Sequence, residues 1–219
     1  MAAENETVKE QPEKTVNVLI KNLSTIIASI CAIVAAFFAF YQTRFDKMTD
    51  LQLEQIRIEN AEKMAMYNRN TAFVYGALSE VRNKLDADRC FIIQPHPPDR
   101  YHYLSVVIES DKPGVSAVKD IFQNIPMSDI AHFAKMLSTN VWLYFDDVNA
   151  QVEDRKALSM MLIAGSSQIG IIQLTNAKNE WVGSLVVENI NHKPFDRTHA
   201  MEVISNAANL IQFILPPIN

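Results

Sequence analysis

Residues 167–175 (SQIGIIQLT) and 181–189 (WVGSLVVEN) decide the fold. Each is a short apolar run rich in β-branched residues, and only the polar stretch 176–180 (NAKNE) separates them. That spacing predicts two neighbouring strands. Beyond them, 197–215 is apolar on several sides and predicts a closing helix. Going back along the chain, 151–164 predicts an amphipathic helix stopped by Gly165, and 141–145 (VWLYF) predicts a strand. Residues 89–94 (RCFIIQ) and 101–109 (YHYLSVVIE) predict a hairpin, its first strand ending at the proline-rich turn that opens with Pro95. Between hairpin and third strand, 115–138 predicts helical fragments broken at Ile125-Pro126. Ser128 or Asp129 is the expected N-cap of the second fragment, with Ile130, Phe133, Ala134 and Leu137 on its buried stripe. The order of elements predicts an α+β domain over 86–219, a central antiparallel sheet flanked by helices.

Upstream, the pattern changes twice. Residues 44–85 are charged and free of proline. Apolar side chains at 51, 58, 61 and 65, then 74, 77 or 78, 81 and 85, predict a helical connector whose second half docks on the domain core. Its first half lacks a sustained heptad and so does not read as a strong coiled coil. Before it, the 22 residues between Lys21 and Arg44 (NLSTIIASICAIVAAFFAFYQT) carry no charge. At about 1.5 Å of rise per residue a helix of that length reaches roughly 33 Å, enough to cross a hydrocarbon core of about 30 Å. The segment 16–43 therefore reads as one transmembrane helix. The acidic residues before it and the charges directly after it do not suit a signal peptide. Residues 1–15 read as a disordered polar tail.

Ala28, Ala32, Ala35, Ala36 and Ala39, with Thr25 and Ser29, recur at spacings of three and four along the span. Small residues so placed let two helices approach closely in lipid, which suits a homo-oligomer, although Ala and Ser are also common in membrane helices generally. Lys14 and Lys21 on one side balance Arg44 and Lys47 on the other, so charge does not set which side of the membrane the domain occupies.

Composition excludes several functions. The formal net charge is −5 and there is no basic stripe, which argues against nucleic acid. Five scattered glycines assemble no phosphate-binding loop. Cys31 lies in the span and Cys90 in the domain, so no disulfide forms within the domain. His96 and His102, six apart, do not match a zinc pattern, and no metal or cofactor is expected. Asp146 and Asp147 read as caps for the helix that follows, and Ser166 and Ser167 lack a glycine elbow. No acid, base and nucleophile come together, so the chain reads as non-enzymatic.

Two resemblances add to this. The run 167–215 resembles the C-terminal half of a GAF domain, with Gly183, Leu185 and Val187 at the positions of its "GxLxV" strand and Phe195 before the last helix. The leading helix and the "ADRC" entry to the first strand fit the same pattern, which covers about 85–215. The resemblance implies a pocket for a small ligand or a partner protein, and it points to Asn189, Lys193 and Phe195 as the matching members of the family's cyclic-nucleotide signature. His199 and Ala200 stand where that signature has Asp and Glu, which argues against a cyclic nucleotide. A bilin-type chromophore needs a suitably placed cysteine, whereas Cys90 lies in the first strand and reads as a buried small hydrophobe. The whole layout, a polar tail, one span and a mixed α/β domain, also resembles the holins of T-even phages. That resemblance implies a span that oligomerises to release a lysis enzyme, under control of the soluble domain. Two functions are thus expected: a holin-like lysis protein, or a membrane-anchored GAF-like sensor or scaffold.

Overall fold

The computed structural model describes residues 11–97, 100–190 and 194–215. They fall into two compact units, Met1–Lys63 and Met64–Asn219. Helix α1, Gln11–Leu85, begins in the first unit. Residues 11–15 are therefore helical, where a disordered tail was expected, and residues 1–10 of that tail lie outside the described residues. In the first unit the large apolar side chains, from Ile26 to Phe38, are all more than half exposed. By length and composition this helix can cross a membrane. Three of its hydroxyls are satisfied within the helix: Thr25 Oγ1 donates to Lys21 O at 3.0 Å, Ser29 Oγ to Thr25 O at 2.9 Å and Thr43 Oγ1 to Ala39 O at 2.8 Å. Such back-bonding spares these three hydroxyls from solvation by lipid.

The second unit is built on six antiparallel strands in the order β3-β2-β1-β6-β5-β4. These are β1 Arg89–His96, β2 Tyr103–Asp111, β3 Ile125–Pro126, β4 Trp142–Phe145, β5 Gln168–Thr175 and β6 Trp181–Asn189. The local pairs β1–β2 and β5–β6 are those the sequence pattern predicts, and the long-range pairing of β1 with β6 closes them into one sheet. Strand β1 runs through Pro95 to His96, past the turn where it was expected to stop. Its pairing with β6 ends at Ile93, so Pro95 lies where β1 is laddered to β2 alone. A missing N–H is tolerated on a stretch with one free side.

One face of the sheet packs on Val74, Leu78, Val81 and Leu85 of α1 and on Ala200, Ile204, Ala207 and Ile211 of α5, Arg197–Ile211. The other face is covered by residues 112–124 and by three short helices: α2 Ala131–Thr139, α3 Val148–Gln151 and α4 Arg155–Ile163. This cover departs from the sequence pattern. Residues 115–124 form turns rather than a helix, and Ile125-Pro126 pairs with Leu104 and Tyr103 as the edge strand β3. Ser128 and Asp129 sit inside a 3-10 turn, Met127–Ile130, so neither caps α2. The helix expected over 151–164 starts later, as α4 at Arg155, and a separate short helix, α3, precedes it. Asp147 caps α3 through the amides of Asn149 and Ala150, and Asp154 caps α4 through those of Lys156 and Ala157. Two strong N-cap residues seven apart start two helices instead of one.

Helix α4 stops at Gly165, as its sequence predicts. Gly165 has φ +78°, its N–H donates to Leu162 O at 3.0 Å, and the Ser166 N–H donates to Met161 O at 2.9 Å. This is the paired-bond helix ending that needs a residue in the left-handed region. Gly183 is demanded by space instead. A Cβ there would lie 2.7 Å from Ile93 O, where β6 runs tightly against β1. We expect Gly183→Ala to destabilise the unit by about 1–3 kcal/mol, the usual cost of overpacking. Thermal melting of the purified protein measures this, and an unchanged melting temperature would contradict it.

Candidate functional site

The two faces of the sheet differ in how well they are filled. On the face covered by the short helices a cavity of about 70 Å³ remains. Its floor is the sheet: Phe91 and Ile93 of β1, Leu104 and Val106 of β2, Ile169 and Ile171 of β5, and Val186 of β6. Its roof is Phe122, Ile125 and Ile130, with Phe133 of α2 and Ala157, Met160 and Met161 of α4. Ser105, Ser166 and Glu188 complete the lining. Short helices joined by turns cover a sheet less completely than one long helix, which leaves this space. The wall of this cavity is almost wholly apolar, which favours an apolar guest.

Glu188 ties the cavity to a buried cluster of charges. Strand alternation puts Arg89, Glu109, Asp111 and Glu188 on one face, and the register sets Arg89 opposite Glu188 on β6 and opposite Asp111 on β2. Arg89 is 1 % exposed. Its Nη1 donates to Glu188 Oε1 and its Nη2 to Ser116 O at 2.6 Å. Its Nε lies 3.3 Å from Glu109 Oε1 and 3.4 Å from Asp111 Oδ1. Ser166, delivered by the end of α4, donates to Glu188 Oε2 at 2.7 Å. One guanidinium thus serves three carboxylates. Burial pushes Glu188 above the usual carboxylate range, against the pull of Arg89 and Ser166. Burial, followed by the charge of Glu109, pushes Asp111 up to about 7.

The residues singled out from the GAF resemblance lie elsewhere. Asn189 and Phe195 meet around Gln168. Asn189 Nδ2 donates to Gln168 Oε1 at 3.3 Å and the Phe195 N–H donates to the same oxygen at 3.0 Å. Phe195 O accepts from Tyr144 Oη at 3.0 Å, and its ring packs in the core against α1 and α5. Neither side chain lines the cavity, and Lys193 lies outside the described residues. Cys90 is fully buried on that same opposite face, where burial pushes its thiol up. Ala28, Ala32, Ala35, Ala36 and Ala39 are all exposed on α1. Among the described residues no three His, Cys, Asp or Glu side chains come together to hold a metal. The cavity lining and Arg89 were missed from sequence. The lining consists of ordinary strand and helix apolar residues, and an arginine reads as a surface residue until its cross-strand partners are known.

No family model matches the chain, and no curated protein matches it. Solved structures do. The photoproduct state of GAF3 from Slr1393 of Synechocystis sp. PCC6803 superposes with a TM-score of 0.55 at 16% identity, covering 65% of this chain and 90% of that one. The blue-light absorbing form of the Thermosynechococcus elongatus PixJ GAF domain gives 0.55 at 14% identity, covering 68% and 88%. A far-red cyanobacteriochrome photoreceptor gives 0.55 at 13% identity, covering 74% and 94%. The second unit is therefore GAF-like in fold.

The charge cluster makes its own prediction. Arg89→Met removes the cation that these carboxylates share and leaves the buried Glu109 and Glu188 and the partly exposed Asp111 facing one another. Breaking a buried ionic network by deleting one partner costs about 3–5 kcal/mol. We expect the urea midpoint to fall accordingly; an unchanged midpoint would mean that the cluster is solvated.

Proposed function

We propose that the protein is a membrane-anchored sensor module whose GAF-like unit binds a small apolar molecule and does not act as an enzyme. The observation that carries the reading is the apolar cavity between the sheet and α2 and α4, in a fold shared with ligand-responsive domains. The size of the cavity limits the ligand. A cavity of about 150 Å³ in another protein admits benzene or xenon. Here about 70 Å³ is open, so the guest is an apolar molecule of a few heavy atoms. A cyclic nucleotide or a tetrapyrrole chromophore is far larger, in keeping with His199 and Ala200 at the broken signature and with Cys90 on the far face. The holin-like reading rests on the layout and the small-residue stripe of the span, whereas the sensor reading has the GAF-like fold and the cavity in its support.

Thermal shift against xenon and a panel of small apolar molecules tests the ligand. A guest at about one hundred times its Kd stabilises by about 2.7 kcal/mol, and Ala157→Leu, which fills the cavity, is expected to abolish the shift. If no panel member produces a shift that Ala157→Leu removes, the ligand reading fails. The anchor and its side are tested by fractionation and fusion. The full chain is expected to stay with membranes after an alkaline wash, with a C-terminal fluorescent protein bright and a C-terminal alkaline phosphatase inactive. An active phosphatase would put the GAF-like unit outside the cytoplasm and favour the lysis reading.

A further inference from the structure

The two edges of the sheet are finished differently. At one edge stands β3, two residues long, and the second of them is Pro126. Short edge strands and proline are common guards against another strand adding on. At the other edge stands β4, which carries no such guard. With the residue before it, β4 reads VWLYF, a run without charge or proline. Val141 is 67 % exposed, and Trp142, Leu143 and Tyr144 are half-buried.

The ladder shows which backbone groups are open. The Gln173 N–H donates to Val141 O at 3.0 Å, and the register sets Leu143 opposite Ile171 and Phe145 opposite Ile169. Antiparallel bonding alternates along a strand. Val141, Leu143 and Phe145 therefore bond to β5, and the N–H and C=O groups of Trp142 and Tyr144 point off the sheet. Among the described residues no strand lies beyond them.

We propose that this edge is a self-association surface: β4 pairs antiparallel with β4 of a second copy, about a twofold axis at Leu143, and joins two sheets into one. The strand is self-complementary. With Leu143 on the axis, Trp142 stands opposite Tyr144 of the second copy, and each such pair exchanges two backbone hydrogen bonds. The Trp142 and Tyr144 rings, stacked 6.2 Å apart on the α5 side of the sheet, meet their counterparts as cross-strand aromatic pairs. The charges also fit. Asp146 falls opposite Asn140 of the second copy and Asp147 opposite Thr139, so no carboxylate faces another. A parallel arrangement would set each aspartate against its own copy, and like charges directly opposite are destabilising. The pairing goes beyond the ligand reading and does not depend on what the cavity holds.

Disulfide cross-linking of the full chain in detergent micelles reads the register. All variants carry Cys31→Ser, which removes the exposed cysteine of the span. Across the axis the two Leu143 Cα atoms would lie about 4.5 Å apart, within the roughly 4.4–6.8 Å that a disulfide bridges. Leu143→Cys is expected to form a linked dimer about tenfold faster than Asp120→Cys, an exposed position beside β2 near the opposite edge. Equal rates, or no dimer from Leu143→Cys, would overturn the proposal. Adding Val141→Lys, a charge at an exposed edge position, is expected to remove the advantage, and an advantage that survives it would sink the proposed register. Single-residue hydrogen exchange on the wild-type chain needs no variant. The amides of Trp142 and Tyr144 are expected to be protected and to lose protection on dilution, while those of Leu143 and Phe145 keep theirs. Free exchange at Trp142 and Tyr144 at every concentration would overturn the pairing even if Leu143→Cys did not fold.

Discussion

The GAF-like unit depends on one buried guanidinium. Arg89 opens the first strand and lies between two others, with carboxylates from both within reach. Burying charges is costly, and such clusters add little to stability beyond what apolar residues of the same volume would give. What they impose is position. A one-residue slip of β1 would turn every side chain to the opposite face and carry Arg89 in among Val74, Leu78 and Ile204. There it would meet no carboxylate. The pairing of β1 with β6, the long-range contact that joins two local hairpins into one sheet, is thereby held to a single register.

The same cluster divides the unit into a stiff side and a soft side. On the stiff side two helices bring continuous apolar stripes to the sheet. On the soft side the cover is short helices, a two-residue strand and the irregular residues 112–124. This side is held by individual polar anchors: Asp147 and Asp154 at helix starts, Ser166 on Glu188, and Glu109 on two amides. Hydrogen bonds to single groups open more readily than packed helices, because less apolar surface is exposed when they break. The cavity and the charge cluster both lie on this side.

Much of the architecture was legible because it is local. The strands β5 and β6, their polar turn, the β1–β2 hairpin and the closing helix are set by runs of residues whose partners lie close by in sequence. The stripe at 74, 78, 81 and 85 was legible for the same reason, and each of its members is buried. Illegible were features whose cause lies far along the chain. Strand β1 crosses Pro95 because β6 leaves it unpaired there, and β6 is about ninety residues away. Ile125-Pro126 looks like a break in a helix and becomes an edge strand only because β2 offers it a free side. Asn189 and Phe195 were drawn from a family pattern; in this chain they close the gap between β5 and α5 through Gln168, and the cavity belongs to other residues.

The size of the cavity follows from its roof. Phe122, Phe133, Met160 and Met161 project into the space that a larger ligand would occupy, and behind them lie only turns and one-to-three-turn helices. The floor is fixed by the sheet and by the Arg89 register, so any enlargement has to come from movement of that roof. Methionine side chains repack at little cost, and segments held by single anchors shift without disturbing the sheet. A GAF-like fold that accepts a bulky ligand must therefore trade away the apolar filling seen here. With that filling in place, selectivity rests on exclusion: a small apolar molecule enters at the cost of minor side-chain movement, while a large polar one would have to displace two phenylalanines and leave its own polar groups without partners.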